Sequence, residues 1–189
     1  MAQGTERAAE GFPPLVTERL LLRRSRPEDA ATISAYRSDP AVHRYQGWER
    51  TDPAGVRDEI EEMATRLPGD PGGWVQLTVE ERATGATVGD IGLSPAEEEP
   101  GVIKIGYTIA PAFQGLGYAT EAVSALVRFA FDDLGALTVR AYASADNLPS
   151  IRVAEKVGLR LVEKVERRHG DRTFFVVRYE RDRDDPSPA

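Results

Sequence analysis

A chain of 189 residues, 41% hydrophobic and 29% charged, is sized for one domain around one core and has the composition of an ordinary globular protein. It has no cysteine, which excludes disulfides, thiol nucleophiles and cysteine-held metals, and its two histidines, His43 and His169, are too few and too isolated for a zinc site. A net charge of −7 argues against a nucleic-acid-binding surface, and no apolar run has the length of a signal peptide or membrane span, so a cytoplasmic protein with no metal, nucleic acid or membrane partner is expected.

Residues 1–14 are polar, carry Gly11, Pro13 and Pro14, and read as a disordered tail; "RDRDDPSPA", residues 181–189, reads as a second. Residues 15–180 show no repeat and no linker and form one domain. "ERLLLRR" is a first strand. "SRPEDAATISAYRSDP" follows as a helix, with Pro27 near its start, acids in its first turn and Pro40 beyond its end. "TDPAGVRDEIEEMATRLPG" is a second helix, capped by Asp52, with Pro53 at its first position and Val56, Ile60, Met63 and Leu67 on one apolar face.

Two strands joined around Thr84-Gly85 come next in "WVQLTVEERATGATVGDIGL", then the acidic loop "AEEEPG" and the strongly β-forming "VIKIGYTI". A glycine loop opens a helix over residues 118–134. "LTVRAYA" is a strand, "PSIRVAEKVGL" a short helix ending at Gly158, and "RLVEKVERRHGDRTFFVVRYE" a hairpin turning at His169-Gly170-Asp171. The order β-αα-βββ-α-β-α-ββ predicts a mixed α/β domain: a largely antiparallel sheet of six to seven strands with four helices packed on it.

The loop in "APAFQGLGYATEAV" is the first candidate site. Gly115 and Gly117 allow close backbone approach and unusual φ, and the unpaired amides that begin a helix favour an anion. Several charge-assisted hydrogen bonds, each worth about 1.5–3 kcal/mol, hold a pyrophosphate there without a basic side chain. A P-loop would need Gly-Lys-Ser/Thr, and the lysine is missing. A dinucleotide fingerprint would need a third glycine where Thr120 stands and an acid ending the next strand, which disfavours a nicotinamide-dependent oxidoreductase. The pattern that fits is Q-x-x-G-x-A, in Gln114, Gly117 and Ala119. An ordinary tight turn is the competing reading.

With the second segment "ADNLPSIRVAEKVGL", roughly thirty residues on, the chain resembles the GNAT superfamily of acyl-CoA-dependent N-acetyltransferases. Within it, the likeness is to the branch of ribosomal-protein N-terminal (alanine/serine) acetyltransferases. The resemblance implies a splayed central strand pair. It also implies that Gln114, Gly115, Leu116, Gly117, Tyr118, Ala119 and Thr120 cradle the pyrophosphate of acetyl-CoA. Pantetheine then adds to the strand edge at Thr108, Ile109 and Ala110, touching Asn147. Ser150 lies near the sulfur, where it also protonates the departing thiolate. Read without the resemblance, Asn147 is an N-cap and Ser150 merely follows it by three residues.

The implied reaction is direct attack of a neutral primary amine on the thioester through a tetrahedral intermediate, with CoA as product and a backbone N–H near Ile109 stabilising the oxyanion. Deprotonating a lysine-like amine of pKa ~10.4 at pH 7 costs about 4.6 kcal/mol; an α-amine near pKa 8 costs about 1.4 kcal/mol. Relatives often carry Glu-Ile-Gly-Tyr where this chain has Lys104-Ile105-Gly106-Tyr107. Lys104 either pairs with an acid such as Asp90 or snorkels to solvent. If it faces the site, the base comes from elsewhere, Asp90 first and Glu49 second. Tyr45 and Trp48, with Gln46 and His43, either line an acceptor pocket floored by Tyr107 or simply pack over the sheet; aromatic faces suit cationic or amphipathic amines. The run Glu97-Glu98-Glu99 reads as a solvated loop. The expected acceptor is a small cationic amine or a protein N-terminus. The rival reading is a non-catalytic acyl-CoA-binding sensor or interaction module, and a homodimer stays open.

Overall fold

A computed structural model describes residues 13–46, 48, 50–71, 73–169 and 172–186. Residues 1–12 and 187–189 of the expected tails, the hairpin tip at Gly170-Asp171 and the base candidate Glu49 lie outside the described residues. The chain opens with β1 (Leu15–Val16) and β2 (Leu20–Arg24), continues through a 3-10 turn, Pro27–Asp29, into α1 (Ala30–Arg37), then α2 (Pro40–His43) and α3 (Pro53–Ala64). The strands β3 (Val75–Glu81), β4 (Thr87–Pro95) and β5 (Val102–Ile109) follow, then α4 (Tyr118–Asp132), β6 (Thr138–Ser144), α5 (Leu148–Lys156), β7 (Arg160–His169) and β8 (Arg172–Asp182).

These strands form one eight-stranded sheet in the order β1-β2-β3-β4-β5-β6-β8-β7, antiparallel everywhere except between β5 and β6. Two elements exceed the expected count. Leu15–Val16 folds back on β2 as an eighth strand. Pro40, expected beyond the end of a helix, begins a short new one, because a proline needs no N–H at a first helical position and the Asp39 side chain accepts from Ala41 N at 2.8 Å. The second long helix is shorter than expected. Asp52 caps it as anticipated, accepting from Ala54 N and Gly55 N, but it stops at Ala64 and leaves Leu67 exposed. At the far end β8 runs through Arg181 and Asp182, residues expected in the tail. Arg183 is then anchored on the carbonyls of Phe131 and Ala136.

Alternation along the central strands divides their side chains between two faces. Leu77, Ile91, Leu93, Ile103 and Ile105 point to one face and pack on Ala122, Val123, Leu126 and Ala130 of α4. Thr78, Asp90 and Thr108 point to the other, which α1 and α3 partly cover through a smaller cluster of Ala30, Ile33, Tyr36, Val56 and Ile60. The polar face therefore lies buried where the helices cross it and open beyond them.

Pairing between β5 and β6 runs only from Val102–Thr138 to Ile105–Ala141. Beyond that point residues 106–109 remain paired with β4 alone, while Tyr142 to Ser144 pair with β8 alone. The sheet is thus split at its centre, and both lips of the split carry unpaired backbone edge. The splayed strand pair that the sequence resemblance implied is present.

Candidate active site

The split opens toward the glycine loop. Gly115 and Gly117 take φ of +79° and +84°, a region where side chains are strained, and Gly117 is the left-handed residue from which α4 starts. Among the described residues no side chain caps that helix, so its first amides are left for another acceptor. Gln114 ties the loop to the strand before it, donating from Nε2 to Ile109 O at 2.9 Å.

The loop has a brace that local pattern could not reveal. Arg19 donates from Nη1 to Leu116 O at 2.9 Å and from Nε to Glu121 Oε2 at 2.7 Å, and its guanidinium lies over the Tyr118 ring. Burial opposes ionisation of Glu121. Hydrogen bonds from the Thr17 hydroxyl and from the backbone and side chain of Arg19 nevertheless hold its carboxyl below the usual value. Arg19 and Glu121 are a hundred residues apart in the chain, which is why no spacing pointed to them.

Along β5 the hydrogen-bonding direction alternates. Ala110 N donates to Val88 O, so Thr108 and Ala110 spend their amides on β4, while Ile109 and Tyr107 direct theirs into the split. Of the three backbone positions expected at the cofactor edge, Ile109 is therefore the one whose N–H faces the gap. Gly89 opposite it permits this close approach, since a Cβ there would meet Thr108 O at 2.2 Å.

Across the split stands the start of α5. Asn147 caps it, accepting from Ser150 N at 3.3 Å, so the capping reading of Asn147 is realised and its amide nitrogen is still available to a ligand. Tyr107 reaches Ser150: its hydroxyl donates to Ser150 O at 2.8 Å and lies 2.9 Å from Ser150 Oγ. Burial pushes the Tyr107 phenol up to about 12, with the Ser150 hydrogen bond working against that rise, so the group keeps its proton throughout the neutral range. Tyr107 was expected on the floor of an acceptor pocket with Tyr45 and Trp48. Alternation instead turns it to the face opposite Thr108, where it meets α5.

The acceptor-side expectations are met unevenly. Gln46 donates to Thr108 Oγ1 at 3.2 Å, which brings the segment between α2 and α3 onto β5. Trp48 lies under the Arg37 guanidinium and Tyr45 under that of Arg44, while His43 is exposed. Asp90, the first base candidate, is only 3% exposed. Its carboxylate takes hydrogen bonds from Tyr36, Arg37 and Gln76, and Arg37 also pairs with Glu59 at 2.8 Å. Burial pushes the Asp90 carboxyl up against the pull of Arg37, and burial next to Asp90 pushes Tyr36 well above its ordinary value.

The expected Asp90–Lys104 pair does not form. Thr108 stands opposite Asp90 in the register, and Lys104 stands opposite Ser94, four residues along. Glu99 is likewise no free acid: it binds Arg140 at 2.5 and 2.8 Å, which holds its carboxyl below the usual value. Nothing in its local sequence marks Trp74, which directly precedes β3, as part of a site. Its indole in fact lies across Gly92 and Gly106 on the polar face.

A family profile described as an acetyltransferase (GNAT) domain matches residues 19–160. The chain is 32% identical over 140 residues to the uncharacterized N-acetyltransferase p20 of Bacillus licheniformis, covering 74% of this chain and 78% of that one. It is 31% identical over 147 residues to the uncharacterized N-acetyltransferase YoaA of Bacillus subtilis, covering 78% and 82%. Among solved structures it superposes on a GNAT-family acetyltransferase from Bacillus anthracis with a TM-score of 0.79 at 23% identity, covering 92% of this chain and all of the other. It also superposes on RimL, a ribosomal L7/L12 α-N-protein acetyltransferase in complex with coenzyme A, with a TM-score of 0.78 at 16% identity, covering 90% and 98%. The chain belongs to the GNAT acetyltransferase family and is an acetyl-CoA-dependent acetyltransferase. Among the described residues no helix is long and apolar enough to cross a membrane.

Proposed function

We propose that the protein moves an acetyl group from acetyl-CoA to a primary amine, with the donor lying in the split between β5 and β6. The observation that carries this reading is the coincidence of three features around one gap. These are an unpaired β5 edge ending at Ile109, a left-handed glycine loop opening α4 at one end, and the Tyr107–Ser150 pair beside Asn147 across it. The loop amides from Gln114 to Thr120, braced by Arg19, suit the pyrophosphate. The Ile109 N–H suits the oxyanion of a tetrahedral intermediate. Ser150 gives its proton to the departing thiolate and recovers one from the Tyr107 phenol. The phenol in turn takes up from water the proton that the attacking amine released, and burial favours that protonated form.

The acceptor nitrogen must arrive neutral. Asp90 is committed to Tyr36, Arg37 and Gln76, which fits an amine that loses its proton to water more readily than a lysine-type amine does. Of the two acceptor classes, a small cationic amine or a protein N-terminus, this favours an α-amine. Release of CoA thiol, followed over a panel of α-amines, polyamines and aminoglycosides, tests the proposal. Turnover fastest with α-amines is the expected result. Stabilisation by acetyl-CoA with no turnover of any amine marks the non-catalytic binding reading instead.

A further inference from the structure

On the face of β5 that carries Thr108, alternation places Gly106 and then Lys104, each about 7 Å further along the strand. Trp74 lays its indole over this stretch. A Cβ built at Gly92 would lie 3.2 Å from Trp74 Cε3, and one at Gly106 would lie 3.5 Å from Cη2. Gly92 and Gly106 are cross-strand partners, so the ring rests on a shelf two glycines wide with 37% of its surface exposed. The shelf begins where β5 parts from β6, on the same face as α1 and the Gln46 segment.

Lys104 borders that shelf, half-buried, opposite Ser94 and alongside Arg140. Among the described residues, the acids nearest the shelf on this face are occupied elsewhere. Asp90 is held by Tyr36, Arg37 and Gln76, while Glu99 and Glu180 both bind Arg140. Lys104 makes no ion pair among the described residues, so a cation without a counter-charge stands at the edge of an aromatic shelf. An acceptor bearing only positive charge is repelled there. One with a carboxylate beside its amine supplies the missing partner and gains a charge-assisted hydrogen bond.

We propose that the Trp74 shelf is the acceptor subsite and that its substrate is a primary amine carrying a carboxylate. Lys104 Nζ binds the carboxylate, and the indole packs on the apolar part of the molecule. This rests on the acetyltransferase reading above. The carboxylate belongs either to a free amino acid or to an acidic residue beside a peptide N-terminus, and both present the same group to Lys104.

The test compares initial rates of CoA release with phenylalanine, phenylalaninamide, phenethylamine and the peptide aspartyl-phenylalaninamide. A carboxylate-bearing acceptor is expected to exceed the two analogues that lack a carboxylate by about tenfold or more in kcat/KM. A lead by phenylalanine identifies the free amino acid, and a lead by the aspartyl peptide identifies the peptide. Lys104→Gln is expected to erase the preference, Lys104→Arg to restore most of it and Lys104→Glu to reverse it. Trp74→Ala raises KM for every aromatic acceptor. Stabilisation by acetyl-CoA with equal rates for acid and amide, with a preference that survives Lys104→Gln, or with no turnover of any of the four overturns this inference alone. No CoA release combined with no stabilisation by acetyl-CoA overturns the donor-site reading beneath it.

Discussion

Tyr107 and Ser150 come from segments 43 residues apart, yet the phenol oxygen lies 2.9 Å from the serine hydroxyl. The contact follows from strand alternation, which sends Tyr107 toward α5 and away from the polar face. If this pair delivers the proton to the thiolate, Ser150→Ala lowers kcat by about 100-fold with KM for acetyl-CoA nearly unchanged. Tyr107→Phe, which keeps the ring and removes the relay proton, lowers kcat by about tenfold. Wild-type rates in both variants would remove the pair from the mechanism. Asp90 makes a contrasting prediction. Its carboxylate faces a buried Arg37, so Asp90→Asn leaves that charge under-compensated and destabilises the fold by about 3–5 kcal/mol, measurable by urea unfolding. A large fall in kcat with unchanged stability would instead return Asp90 to the role of base.

At the scale of elements, the loop and helix α4 are one device. A helix that begins on a left-handed glycine, with no described side chain spending its first amides, has the dipole end that the proposed anion site needs. Gly117→Val forces a β-branched residue to a φ near +84°, a cost of at least about 1–2 kcal/mol in local strain. It is expected to weaken acetyl-CoA binding, read as a smaller thermal stabilisation, more than it lowers the melting temperature of the free protein. The brace from the β1–β2 turn works through the same helix: Thr17 and Arg19 both bind Glu121 in its first turn. The β5–β6 split is likewise a property of a strand pair. Its lower half is an ordinary parallel ladder, and its upper half is two edges held apart by β4 on one side and β8 on the other.

For the whole molecule, a net charge of −7 sets a repulsive background for an anionic donor, so a donor site at the glycine loop, as proposed, would depend on local amide dipoles more than on the global field. A ligand that binds only the folded state at 100-fold its Kd adds about 2.7 kcal/mol. For a chain of this size, that corresponds to a rise of about 5–10 °C in melting temperature, measurable by differential scanning fluorimetry. No shift at saturating acetyl-CoA would contradict the donor site. The strand and helix order, the Asp52 cap, the glycine loop and the Asn147-to-Ser150 spacing were all legible in the sequence, because each rests on contacts within a few residues. Pro40 does stand beyond the end of α1, but the exposure of Leu67 and the short helix that Pro40 begins were not legible, because helix ends answer to tertiary packing as much as to local pattern. The pairing of Asp90 with Arg37, the turning of Tyr107 toward Ser150, the Arg19 brace and the Trp74 shelf were decided only in the folded molecule. Each joins segments distant along the chain, and register and sheet face, which no linear spacing encodes, choose the partner.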